Sequence, residues 1–247
     1  MFDRVDAFVR DVGQAESEAE LAELLSEIGR EMGFAYFALT HHVDIRRAAR
    51  PAIRLDNYPR DWVEYFDEER LSVSDPVHRA SHVTSVGFPW SRLESMIKLT
   101  ARDAEVLALA AARGIGDGFT VPAHVPGESS GSCSFATEAG IPLREEQLPL
   151  AQLAGAFGFE AARRLSGIRA GDASPTRCLT DRQRDCVVWA ARGKSDWEIA
   201  RILEVSQETV IQHLKQARER YGVTKRTLLA VHALFDGTIS FTDIFKR

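Results

Sequence analysis

The feature that most constrains this chain is the density of helix start and stop signals in its C-terminal part. Thr180 with Gln183, and Ser195 with Glu198, are spaced as capping boxes, in which two side chains satisfy each other's unpaired backbone donors. Ser206 opens a third helix that ends near Gly222, Gly193 stops the first, and Thr224 precedes a fourth closed by Gly237. Such spacing permits only short, tightly turned helices. Trp197–Leu203, then Glu204 and Val205, then Ser206–Tyr221 have helix-turn-helix proportions. In the third helix Val210, Leu214 and Ala217 form an inward stripe, which leaves Ile211, Gln212 and Lys215 facing outward together. In a major groove Gln can read adenine, Lys guanine, and Ile a thymine methyl. Arg218, Arg220, Lys225 and Arg226 are placed for phosphates. Spacing alone leaves a merely solvated basic face as the alternative.

Charge divides the chain in the same place. The net charge of the 247 residues is -5, which taken as an average speaks against a nucleic-acid binder. The Gly-, Ser- and Pro-bearing stretch Gly167–Arg177 reads as a linker between domains 1–166 and 178–247. Split at about Asp172, the front holds 18 basic and 27 acidic residues, a net of −9, and the tail 13 and 9, a net of +4. An acidic front and a basic tail suggest two jobs. The three cysteines show no metal or disulfide spacing and fit a reducing cytoplasm; neither a bilayer-spanning segment nor a secretory signal is expected from the apolar runs and the order of the first residues.

The front alternates helices and strands. Ser17–Glu20 is a capping box before Leu21, Leu24, Leu25, Ile28 and Met32 at helical spacing, and Gly33 ends that helix. Phe34–Thr40 reads as a strand, Pro59–Arg70 as a helix, and Thr100–Arg113 as a helix capped by Thr100 and Asp103. Gly118–Val125 and Ser132–Thr137 read as strands, and Leu143–Leu165 as a long last helix and candidate dimer contact. The fold class is therefore α+β in the front, an α/β/α sandwich with an antiparallel sheet, and all-α in the tail. Tyr58, Trp62 and Phe66 at i, i+4 and i+8 share one helix face; buried Tyr and Trp require hydrogen-bond partners, and a buried Asp75 requires a donor. An ordinary aromatic core with Asp75 capping a turn before Pro76 explains these residues equally well.

The segment Leu179–Ile239 resembles the LuxR-type DNA-binding domain, carrying LT-x-R, GKS-x-WEIA, S-x-x-TV-x-x-H and GV-x-x-R in order. Gln183 and Val188 stand where Glu and Leu are usual. NYPRDWVEYFDEERLSVSDPV, followed by Trp90 and GIGDGFTVPAHVPGESSGSCSFAT, resembles the autoinducer-binding domain of acyl-homoserine-lactone receptors. The resemblance implies that Tyr58 and Ser134 contact the amide carbonyl of an N-acyl-homoserine lactone, Trp62 the lactone carbonyl and Asp75 the amide N–H. Trp90 would pack over the lactone ring, with Val77, Leu107, Ala110 and Ile115 as apolar wall. It also implies a homodimeric activator on a palindromic double-stranded DNA site, with Ser206 and Thr209 joining the DNA-facing residues and RNA polymerase a further partner. Phe66 replaces a usual Tyr, and the lost hydroxyl points to a signal that does not use that contact.

Other motifs carry less. Gly127–Gly131 is a literal G-x-S-x-G, but a strand follows it where a nucleophile elbow needs a helix, so a lactone or ester hydrolase acting through Ser129 is the weaker reading. His41 and His42, adjacent on a strand, point to opposite faces and make no metal pair. No enzymatic cofactor, metal or phosphate-acceptor site is expected. A ligand-independent regulator of the same fold is the alternative to a lactone sensor.

Overall fold

A computed structural model describes residues 2–43, 52–167 and 178–245. The expected linker lies almost wholly outside them. The chain divides into two compact units, Met1–His124 with Ser129–Arg169, and Val125–Glu128 with Ala170–Arg247.

The first unit begins with helices α1 (Phe2–Gln14) and α2 (Glu18–Met32), then strands β1 (Tyr36–His41) and β2 (Arg54–Asp56). Helices α3 (Arg60–Glu68), α4 (Leu71–Ser74) and α5 (Pro76–Ser81) follow, then β3 (Phe88–Pro89), α6 (Leu93–Met96) and α7 (Ala101–Ala112). Strands β4 (Ile115–Ala123) and β5 (Gly131–Glu138) and helix α8 (Leu148–Leu165) complete it. The five strands pair antiparallel in the order β2-β1-β5-β4-β3.

Alternation along the strands sorts side chains to two faces. Phe37, Leu39, Cys133 and Phe135 enter one core with α1, α2 and α8. Tyr36 and Ala136 enter another, with Trp62 of α3 and Val106 and Ala110 of α7. The sheet is thus sandwiched between helical layers. A Cβ on Gly158 would lie 2.8 Å from Leu25, so the small-residue face of α8 is used against α2 of its own chain. Leu153 and Phe157 of α8 are exposed instead.

Several element boundaries differ from the sequence reading. The last helix of this unit starts at Leu148, after a 3-10 turn at Glu145–Gln147, with Pro149 in its first turn, where the missing N–H costs nothing. Helix α1 was not anticipated, although Val5, Phe8 and Val12 bury at helical spacing. The strands β2 and β3, of three and two residues, are too short to show a period.

The second unit contains α9 (Asp181–Ala191), α10 (Asp196–Leu203), α11 (Gln207–Tyr221), α12 (Arg226–Phe235) and α13 (Phe241–Phe245). Both expected capping boxes form, and Ser206 caps α11. The fourth helix is capped at Lys225 rather than Thr224, with no side-chain bond, and a fifth short helix follows.

Candidate ligand cavity and DNA-facing helix

A cavity of about 60 Å³ opens between the sheet and helices α3, α5 and α7. From α3 and its approach come Tyr58, Trp62 and Phe66; from the end of α4 and from α5 come Asp75, Val77 and His78. Trp90, Leu107, Ala110 and Ile115 close the far wall, and Ala38, Thr40 and Ser134 form the sheet floor. The ten positions singled out in the sequence therefore converge on one cavity. Ala38, Thr40, Val106 and His78 line it as well and were not anticipated. A second lobe of about 130 Å³ shares six of these residues and continues toward Arg54, Asp56, Asp67, Arg70 and Ser72.

The polar atoms in the first lobe fall into two groups. In one, the Trp90 indole N–H donates to Thr120 Oγ1 at 2.8 Å, and Thr120 Oγ1 lies 2.8 Å from Ser134 Oγ. Thr120 is fully buried, so its own hydrogen is satisfied only by donating to Ser134. That leaves the Ser134 hydroxyl hydrogen for the cavity. In the other group, Asp75 Oδ1 accepts the His78 backbone N–H at 2.9 Å and caps α5. Among the described residues Asp75 Oδ2, the Tyr58 hydroxyl and the Trp62 indole N–H have no protein partner. Burial pushes the Tyr58 phenol well above its usual range, reinforced by the Asp75 and Asp56 carboxylates, so it remains a donor. The cavity thus offers unspent donors beside one unspent carboxylate oxygen.

Structural contacts hold these walls. Arg79 of α5 reaches both Asp103 oxygens, at 2.8 and 2.9 Å, while Asp103 closes the capping box of α7 with Thr100. Asp75 both caps a helix and faces the cavity, so the two readings of this residue coexist. Phe66 meets Trp62 and His78 edge-on, with ring centroids 6.1 and 5.7 Å away. Tyr65 lies under the Arg113 guanidinium and does not line the cavity.

Gly127–Ser130 lie in the loop between β4 and β5, Gly131 opens β5, and no helix follows. Cys133 is fully buried, and burial pushes its thiol far above the usual range, away from the reactive thiolate.

In the second unit Val210, Leu214 and Ala217 are buried, and Ile211, Gln212 and Lys215 are exposed, as the periodicity predicts. Ser206 Oγ lies 2.8 Å from Thr209 Oγ1 at the exposed start of α11. Gln183, which is buried, closes its capping box and donates its side-chain amide to Gln216 Oε1 at 2.9 Å, tying α9 to α11. Two expected phosphate ligands are engaged inside the unit. Arg226 pairs with Asp196 at 2.6 Å and also donates to the Lys194 carbonyl, and Arg220 donates to the Cys178 carbonyl. Lys215, Arg218 and Lys225 have no such protein partner among the described residues.

A partly open, mostly apolar cavity with unspent polar groups and a helix-turn-helix with a polar outer face define a class, the small-molecule-responsive DNA-binding regulator. Residues 17–164 match the family model described as autoinducer binding domain, and residues 177–233 match that described as bacterial regulatory proteins, luxR family. The chain belongs to this LuxR family and is a transcriptional regulator of the quorum-sensing type. It is 28% identical over 209 residues to the transcriptional activator protein AhyR of Aeromonas hydrophila, covering 83% of this chain and 80% of that one. It is 25% identical over 232 residues to the transcriptional activator protein LuxR of Aliivibrio fischeri, covering 94% and 92%. The fold matches SdiA in complex with octanoyl-rac-glycerol at a TM-score of 0.67 and 22% identity, covering 97% of this chain and 96% of that one. No helix among the described residues is long and apolar enough to cross a membrane.

Proposed function

We propose that the front domain, 1–166, binds an N-acyl-homoserine lactone and that the signal stabilises a dimer whose tail domains, 178–247, grip a palindromic site in cytoplasmic DNA. The observation that carries this reading is the trio of unspent polar groups, Tyr58, Trp62 and Asp75, in one apolar cavity with Ser134. An amide-lactone supplies the complement: its amide N–H meets Asp75, its amide carbonyl meets Tyr58 and Ser134, and its lactone carbonyl meets Trp62. Trp90, with its N–H spent on Thr120, offers a ring face for the lactone. Val77, Leu107, Ala110 and Ile115 supply apolar surface.

Ligand binding to the folded state alone raises stability by mass action. The exposed Leu153 and Phe157 of α8 support a dimer contact through that helix. On DNA, Ile211, Gln212 and Lys215 meet base edges, while Ser206, Thr209, Arg218 and Lys225 meet the backbone. Arg220 and Arg226 brace the helices. The regulator recruits or excludes RNA polymerase and performs no catalysis.

The test is purification with and without a panel of acyl-homoserine lactones, followed by thermal unfolding, sedimentation, and mass spectrometry of bound small molecules. A signal-dependent rise in stability with dimer formation is expected. Equal stability, dimerisation and DNA binding without any small molecule would establish the ligand-independent alternative.

A further inference from the structure

The lobe beyond the head-group residues has its own recognition atom. His78 is 8% exposed, sits on α5 and lines both lobes of the cavity. Its Nδ1 is 2.9 Å from the Ser72 carbonyl oxygen. A carbonyl can only accept, so Nδ1 carries the hydrogen, and in the neutral ring Nε2 is then an acceptor. Nε2 has no partner among the described residues. The ring cannot turn easily, because it stacks on His42 with centroids 3.9 Å apart and meets Phe66 edge-on.

The other polar groups of this lobe divide into acceptors and donors. Thr40 Oγ1 gives its hydrogen to the His41 carbonyl at 3.0 Å, leaving only lone pairs. Arg54 is engaged by Asp56 at 3.0 Å and Asp67 at 2.6 Å. Phe66 contributes no hydroxyl. Arg70 and Ser72 line the same lobe as donors, so what His78 adds there is an acceptor whose direction its Nδ1 bond fixes.

Resting on the lactone reading above, we propose that the acyl part of the signal carries a hydroxyl group and that His78 Nε2 accepts its hydrogen. A keto oxygen at that place would meet an acceptor, and a plain alkyl tail would leave Nε2 buried and unpaired. Sites built to pair a hydroxyl reject analogues that lack it far more strongly than apolar pockets reject a missing methylene.

The experiment measures binding of β-hydroxyacyl, β-oxoacyl, hydroxyaryl-acyl and unsubstituted homoserine lactones to the full chain by calorimetry at about pH 8. At least one hydroxylated member is expected to outrank both the oxo and the unsubstituted lactones by about tenfold or more. His78→Val should erase that preference while still binding the unsubstituted lactone, and His78→Gln, which keeps an acceptor, should restore part of it. If His78→Val does not fold, the wild-type ranking and His78→Gln decide. An oxo or unsubstituted lactone that binds as well as every hydroxylated one overturns the proposal, as does a preference that survives in His78→Val. Binding of no lactone at all overturns the lactone reading and this inference with it.

Discussion

Trp90 donates its indole N–H to Thr120 Oγ1 at 2.8 Å, and this single bond joins the wall of the cavity to its floor. The same Thr120 oxygen is 2.8 Å from Ser134 Oγ, so one buried hydroxyl orients two ligand-facing residues. Thr120→Val keeps the shape and removes both bonds. The sensing unit should lose about 1–3 kcal/mol, because the Trp90 donor is left without a partner. Signal affinity should fall as well, since Ser134 loses the donor that directs its hydrogen. Urea unfolding with and without signal measures both effects, and an unchanged midpoint together with unchanged affinity would contradict this role for Thr120.

Gly118 is held to glycine by the other side of the same tryptophan. A Cβ built at Gly118 would sit 2.5 Å from the Trp90 ring. Gly118→Ala must therefore displace the ring, at a cost of about 1–3 kcal/mol for an overpacked site. The expected result is a folded chain whose signal-dependent rise in thermal stability is reduced or lost. Wild-type stabilisation by signal in Gly118→Ala would mean that Trp90 does not have to keep this position.

How far the cavity could be read in advance depends on how local its determinants are. Tyr58, Trp62 and Phe66 declare themselves by helical spacing, and Asp75 by the proline after it. Ala38 and Thr40 acquire their place only through β1–β5 pairing, where Ala38 lies opposite Ser134, nearly a hundred residues away in the chain. His78 gave no sequence signal, because its role as an acceptor depends on the Ser72 carbonyl and on stacking with His42. Likewise Arg226 looks like a phosphate ligand in sequence, and only the fold brings Asp196 to it. Helix caps, which span three residues, were legible at Thr100, Thr180, Ser195 and Ser206, whereas at Ser17 the box stays half closed because the Glu20 carboxylate accepts from the Glu16 backbone N–H.

The histidines near the cavity make its stability depend on pH. His42 lies 2.9 Å from His82 Nε2 through Nδ1 and 2.9 Å from Ser132 Oγ through Nε2. Burial drives its pKa far below the ordinary value, and repulsion from His78, His82 and His124 adds to this. The folded chain thus keeps His42 neutral, whereas the unfolded chain protonates it near pH 6.5. The unfolded state binds the extra proton, so stability is full above about pH 6.5 and falls by about 1.4 kcal/mol per pH unit below it. His82, whose pKa is also lowered chiefly by burial, acts in the same direction. Unfolding of wild type and His42→Asn between about pH 5 and 8 checks this, with a flatter profile expected for the variant.

The basic residues of the reading unit should separate into two groups in a salt titration. Lys225 is exposed at the start of α12, without a protein partner among the described residues. Removing one phosphate contact lowers the slope of log affinity against log salt by about 1 per subunit contact. Lys225→Ala is therefore expected to weaken DNA binding at low salt, similarly on all sequences, with a shallower slope. Arg226 at the start of α12 holds Asp196 at the start of α10 at 2.6 Å, and both side chains are partly exposed. Arg226→Ala should leave the slope near that of wild type and instead destabilise the reading unit by about 1 kcal/mol, the scale of a half-exposed ion pair. A drop in salt slope for Arg226→Ala equal to that for Lys225→Ala would show that Arg226 leaves Asp196 on DNA and takes a phosphate.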